Sequence, residues 1–413
     1  MAREPFVRAV RTVKGCAVTG VGIASTLGVG ADTVFAALRA GARAGVDRRI
    51  ETFDASEYPG ARVAEVRGFD AAQYLGEKGL RSLDRLTKLL IVAARMALKN
   101  AGLKQDGRWA AGSADSVGIV VSNAYGSLEV ITELSRVAML EDARYINPSR
   151  FPLTVANSPA GYVSIWEDIR AANVTISDGN CGALDAVGCA ELLLSDARAG
   201  ALLVGGAEAM SEALFFGFQE VGAIPPRRAT AENNAPAETM FLGEGAALFV
   251  VETIEAANAR GASTLAEILG YGTAFVAPER EGTLVHASPE AMQRAIAQAL
   301  ADADIDAKAI DVVVSGVCGL PAFDNAELLA IRRTLGDAVC VTAPKLAFGE
   351  TLGAAGAMAM VAALALFEGA TRLPTVHGTL PLRAHAALVL SMGYYGNASA
   401  VVMRQDSRND GRE

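Results

Sequence analysis

Histidine is almost missing from this 413-residue chain, which carries only His286, His377 and His385. They stand too far apart for an HExxH helix or a histidine-rich metal centre, because both need imidazoles within helical reach of one another. Acid–base chemistry must use one of these three or another residue type. Cysteine is scarce as well: Cys16, Cys181, Cys189, Cys318 and Cys340 are scattered, odd in number and without a CxxC pair. That excludes a zinc or disulfide framework and fits a reduced, cytoplasmic compartment. Basic charge is also short. Lys and Arg number 37 against 46 Asp and Glu, a net of −9, so no phosphate-neutralising surface for nucleic acid is expected. The amino-terminal MAREPFVRAVRTVKG lacks the apolar core of a signal peptide. The longest uncharged stretch, Thr351 to Phe367, is short of a bilayer and rich in Ala and Gly, so it predicts a buried helix, with no membrane partner.

Small residues are abundant instead. With aromatics at 6% and 42 glycines, backbones are expected to approach closely and helices to pack tightly. Strands and helices alternate along the chain, which implies a mainly parallel, helix-covered α/β sheet. Cys16 to Ser25 reads as a strand turning through Gly20 and Gly22, close to a GxGxxG fingerprint but with Ser25 in the third glycine position and no acidic residue after a second strand. A tight turn is therefore expected there rather than a nucleotide site. Asp84 to Ala101 has apolar residues at three- and four-residue spacing and is closed by Gly102, a helix. Val174 to Met210 reads as strand, turn, helix, strand, and Phe241 to Glu252 as a further strand after a polar loop, Pro225 to Glu238. The pattern then restarts with strands near 265–269 and 311–316, helices over 289–303 and 325–335, a strand at 340–344, a glycine-rich helix from Gly353, and strands over 386–391 and 398–403. This suggests an internal duplication, with residues 1–252 as one half and 253–413 as the other, and 404–413 as a polar tail.

Ligands in such sheets collect at the carboxyl ends of strands, and three of those ends carry unusual residues: 178–182 (DGNCG), 316–321 (GVCGLP) and 345–350 (KLAFGE). The first has the shape of a nucleophile elbow, where a strand-to-helix turn presents a side chain at a helix amino terminus.

Seven segments, in order over nearly the whole chain, resemble the β-ketoacyl synthase family: VTGVGIASTLG (18–28), LDRLTKLLIVAARMALKNAGL (83–103), the elbow, VGGAEAM (204–210), FLGEGAA (241–247), PKLAFGETLGAAG (344–356) and SMGYYGNAS (391–399). The resemblance implies a thiolase-like layered αβαβα sandwich built from two pseudo-duplicated halves. Active members use an elbow cysteine to carry the acyl group, two histidines to stabilise developing negative charge, and a lysine behind the second histidine. Counted by the family's spacing from Val187-Gly188, the cysteine position holds Asn180. Counted back from Asp324 of Pro321-x-x-Asp324-x-x-Glu327, the first histidine position holds Gly316. Lys345 is present, and five residues later Glu350 stands where the second histidine belongs.

Loss of all three identities on a retained scaffold resembles the chain-length-factor subgroup of type II polyketide synthases, whose version of the segment GLPAFDNAE (319–327) is similar, although that subgroup has glutamine at the elbow. The resemblance implies a subunit without chemistry of its own. It would pair as a heterodimer with an active ketosynthase through the strand Ala201 to Gly206 and shape a tunnel limiting polyketide or polyene chain length. The partners implied are that ketosynthase and an acyl carrier protein. No resident cofactor is expected, since phosphopantetheine arrives on the carrier. Leu128, Ile131, Thr132 and Tyr394 are candidate tunnel residues. Asn180 is expected to cap the helix that follows it, and Glu350 to pair with Lys345. The alternative is an independent condensing enzyme or acyltransferase using Cys181 as nucleophile. Of the histidines, His286 resembles a non-catalytic position near the carrier-facing side, and His377 and His385 are expected to be structural.

Overall fold

The computed structural model describes residues 15–45, 50–58, 61–224, 240–280, 283 and 285–406. The loop expected at Pro225 to Glu238 and the tail beyond residue 406 lie outside them. Two sets of strands form one mixed sheet, joined where Cys16–Ser25 pairs with Ala266–Phe275 antiparallel at Cys16, Ala17 and Val18. The sheet is not mainly parallel as expected: the strands on either side of this junction pair antiparallel, because each half's last strand inserts beside its first, and only the outer pairings are parallel. Outward from that seam on one side come Gly245–Thr253, Ala201–Glu208, Val117–Ser122 and Asn173–Ile176. On the other side come Asn397–Gln405, Ala386–Met392, Val312–Val314 and Cys340–Thr342, with the short Thr375–His377 outside. Each side therefore runs first, fifth, fourth, second, third in chain order, the same topology twice.

Helices complete five layers. Gly182–Ser195 and Ala355–Phe367 lie between the two halves and join strands of both in one core. Every residue of Ala355–Phe367 is buried, which explains an uncharged sequence with no polar face. Arg85–Asn100 covers the outer face of the first half and Pro289–Ala303 that of the second. Arg85–Asn100 starts where the Asp84 carboxylate accepts the Thr87 N–H, and its chain leaves through Gly102 at φ 69°. Among the described residues no helix is long and apolar enough to cross a membrane.

Gly20 and Gly22 are not in a turn. Both lie inside the strand Cys16–Ser25, and a methyl group on either would run into the backbone of Ala93, Ala97 or Ala101. The second half repeats this contact: Gly270 and Gly272 in Ala266–Phe275 meet the backbone of Ala295, Ala299 and Ala303. A G-x-G strand under an alanine-faced helix brings two backbones within side-chain distance, and only glycine leaves room.

Other boundaries move slightly. The glycine-rich helix begins at Ala355, after a turn over Leu352–Ala354. Arg404 and Gln405, expected in the tail, belong to Asn397–Gln405, where Arg404 pairs with Glu267 and Gln405 is buried. The strand Ala201–Glu208, expected to meet a partner, has both edges occupied, by Gly245–Thr253 and Val117–Ser122. The free edge at this end of the sheet is Asn173–Ile176, which pairs only with Val117–Ser122.

Candidate functional site: a buried polar centre

The chain leaves Asn173–Ile176, turns at Gly179 with φ 53° and enters Gly182–Ser195. Asn180 sits in this turn, 1% exposed. It does not cap the helix: the cap position is Cys181, with no side-chain cap bond. The Asn180 amide instead points across the halves, donating from Nδ2 to Glu350 Oε2 and to the Met392 carbonyl, both at 3.4 Å. The Asn180 backbone carbonyl accepts Ser391 Oγ–H at 2.6 Å. The Nδ2 bonds to Glu350 and to the Met392 carbonyl turn the side chain away from the helix amino terminus.

Glu350 is the hub. Its Oε2 accepts from Lys345 Nζ at 2.7 Å and Tyr394 Oη at 2.9 Å, and its Oε1 accepts the Leu352 N–H at 2.9 Å. Lys345 and Glu350 are both buried, so the pair exists out of water. Burial pulls the Lys345 ammonium toward losing its proton, but the neighbouring Glu350 charge outweighs this and its pKa rises. Burial and the Glu350 carboxylate push the Tyr394 phenol up. Tyr394 is further held edge-on against Phe323 and Phe218.

Gly316 lies just after Val312–Val314, and the Glu327 carboxylate closes over it. The Gly316 N–H donates to Glu327 Oε1 at 2.6 Å, and a Cβ at Gly316 would lie 2.9 Å from Glu327 Oε2. Any larger residue there would displace that carboxylate. Asp324 binds the same loop, accepting from Cys318 N–H at 3.0 Å and Gly319 N–H at 2.9 Å. Burial pushes Glu327 up to about 7.

Thus Asn180, Lys345, Glu350 and Tyr394 come together in one hydrogen-bonded cluster, with the Gly316 loop beside it. Cys181 is adjacent in sequence but fully buried, its Sγ 3.4 Å from the Ser391 carbonyl. Burial, then the Asp185 and Asp178 carboxylates, push its thiol well up, the reverse of what an attacking thiolate needs. Leu128 packs at the edge of the apolar cluster containing Tyr394 and Cys318. Thr132, one turn on in Leu128–Arg136, instead lines an outer groove of about 940 Å³. Ile131 is half-buried between them. None of the histidines reaches the centre: His286 Nε2 bonds the Val276 carbonyl, His377 Nε2 the Asp337 carbonyl, and the backbone N–H of His385 donates to Asp311.

Two polar features had no signal in the sequence. Glu208, inside VGGAEAM, is buried and accepts the N–H groups of Ala124 and Gly353, tying two strand ends to the turn before Ala355–Phe367. Burial raises it to about 7. Asp185, on the helix after the elbow, accepts Tyr271 Oη–H at 2.7 Å and the Ser399 hydroxyl, and burial raises it to about 7. Each acid sits in an otherwise apolar run, and only the tertiary fold supplies its donors.

The arrangement offers an amide, an ion pair and a phenol where acyl transfer would need a nucleophile and free donors. Every oxygen of Glu350 already has protein donors. The chain matches the description "Beta-ketoacyl synthase, N-terminal domain" over residues 14–257 and "Beta-ketoacyl synthase, C-terminal domain" over 265–379. It is 32% identical over 368 residues to the 3-oxoacyl-[acyl-carrier-protein] synthase 2 of Vibrio cholerae, covering 85% of this chain and 86% of that one. It is 31% identical over 376 residues to the protein of the same name from Coxiella burnetii, covering 87% of each. Among solved structures it resembles the ishigamide ketosynthase/chain length factor, with a TM-score of 0.83 and 25% identity over 95% of this chain and 99% of that one. The duplicated sheet, the elbow and these matches together show that the chain belongs to the beta-ketoacyl synthase family.

Proposed function

We propose that this chain is a ketosynthase-like subunit without condensing chemistry of its own, which pairs with an active ketosynthase and shapes the channel that limits its product's length. The observation that carries the reading is the Glu350 hub. At the position matching a family histidine, a carboxylate is saturated by Lys345, Tyr394 and the Leu352 N–H. Condensation builds negative charge on a thioester oxygen, and a missing oxyanion donor costs about 3–4 kcal/mol. Here two imidazoles are absent and an anion stands in for one of them. Asn180 in place of the cysteine cannot form a thioester.

A subunit of this kind acts by pairing and shape. The free edge Asn173–Ile176 offers main-chain groups to an added strand. Exposed Leu192 lies on the helix after the elbow and exposed Ile165 on the helix before that edge strand. The growing chain would come on an acyl carrier protein, whose phosphopantetheine arm brings the thioester. Leu128, Ile131 and Thr132, with Tyr394, are the proposed channel residues, Leu128 and Tyr394 being the pair that packs nearest the centre.

A second reading, an independent synthase with Cys181 as nucleophile, is favoured by the two curated relatives, both named as 3-oxoacyl-[acyl-carrier-protein] synthases. Co-purification with an active ketosynthase and assay with loaded carrier protein tests the first reading. The pair is expected to make product that neither the isolated chain nor a Thr175→Pro edge variant supports, and Leu128→Trp should shorten it. A chain that makes product unaided would contradict the proposal.

A further inference from the structure

We infer that a groove between the amino-terminal segment and the helix Pro321–Leu335 is a binding site for an organic anion with an apolar body. The groove encloses about 620 Å³, within the range of small-ligand sites. Arg43 and Arg62 stand on its rim. Both side chains are exposed, and neither guanidinium has a partner among the described residues.

Both arginines rise from pinned backbone. Arg43 follows the left-handed Gly41 that ends Ala31–Ala40, and its neighbour Ala44 donates its N–H to the Ala347 carbonyl. Arg62 directly precedes Val63–Ala64, which pairs in parallel with Leu242–Gly243. The opposite wall carries one carboxylate, Asp324, against the two guanidinium groups. Asp324 spends its carboxylate on the Cys318 and Gly319 N–H groups, and Glu327 spends its own on Gly316. Phe241, Val317, Leu328, Leu346 and Pro374 supply apolar surface along the groove, beside the polar Asn325 and Thr375. Two forked donors at the rim of an apolar trough fit a phosphate monoester or carboxylate carrying an alkyl or amide arm.

The place has a consequence for the centre. Val317 and Gly319 line the groove, while Cys318 between them packs in the apolar cluster with Tyr394 and Leu352. One backbone layer separates the two, so an occupant would press on the loop that carries Gly316.

Titration calorimetry of the full chain with octyl phosphate, octanoate, inorganic phosphate and octanol tests the site. Octyl phosphate or octanoate is expected to bind at least tenfold more tightly than octanol and than inorganic phosphate. Whichever of the two binds better identifies the head group. The Arg43→Ala/Arg62→Ala variant should weaken that binding at least tenfold, and Arg39→Ala, an exposed arginine paired with Glu368 elsewhere, should not. Equal affinity for octanol and octyl phosphate, no binding at all, or undiminished binding to the double variant would overturn the inference. Circular dichroism of the double variant guards against misfolding, since both side chains are exposed.

Discussion

The outer faces of the two halves and the centre between them treat duplication in opposite ways. On the outside, Gly20 and Gly22 under Ala93 and Ala97 are matched by Gly270 and Gly272 under Ala295 and Ala299, the same close approach built twice. In the centre the halves contribute unlike things: the first gives the Asn180 elbow, the second gives Lys345, Glu350, Tyr394 and a glycine at 316. Packing constrains the seams, because no residue larger than glycine fits. The centre is constrained only by satisfying buried charge, and a closed ion cluster satisfies it as well as a reactive one does. The neighbouring backbone dictates the residue at the glycine contacts, whereas at the centre only the hydrogen-bond partners do.

The largest expected effect breaks the centre. Lys345→Met leaves the Glu350 carboxylate buried without its cation and should cost about 3–5 kcal/mol in urea unfolding. Lys345→Met/Glu350→Leu should recover most of that loss, since an apolar pair needs no compensation. If the single variant is as stable as the parent, the centre is wetter than its burial implies and the contrast with the seams weakens.

The seams come next. Gly22→Val and Gly272→Val should each destabilise by about 3 kcal/mol, because the added side chain meets helix backbone that cannot turn aside. Equal losses from the two urea curves would sharpen the comparison. A tolerated change on one side only would show that the seams are not equivalent.

A smaller effect separates buried acids from paired ones. Glu208 keeps its proton to about pH 7 in the folded chain but to about 4.5 unfolded. The stability that comes from its neutral form is complete below pH 4.5 and is lost as pH rises through 7. Glu208→Gln, which does not titrate, should therefore flatten the fall in the free energy of urea unfolding over that window by no more than about 1.4 kcal/mol per pH unit. An unchanged slope would mean that Glu208 is ionised in the fold throughout.

Much of this was legible in the sequence. The order of strands and helices, the buried helix at Ala355–Phe367 and the layered family fold follow from hydrophobic periodicity and seven short segments in register. The spacing also brought Asn180, Lys345 and Glu350 to one place. Gly20 and Gly22 were misread because a G-x-G looks the same in a turn and in a strand under a helix, and the deciding alanines lie some seventy residues away. The expectation that Ala201 to Gly206 meets a partner strand fails for a related reason: Ala201–Glu208 is a strong strand, but nothing local says that both its edges are taken. Asn180 has the chemistry of a helix cap, and what diverts it is a strand end more than two hundred residues later. The Arg43 and Arg62 groove was invisible because its walls come from opposite ends of the chain.

On the proposed reading, this centre accepts no acyl group. Intact-mass measurement of the isolated chain after incubation with acyl and malonyl carrier protein tests it most directly. The account predicts an unchanged mass with both donors, and an adduct that disappears in Cys181→Ala would contradict it.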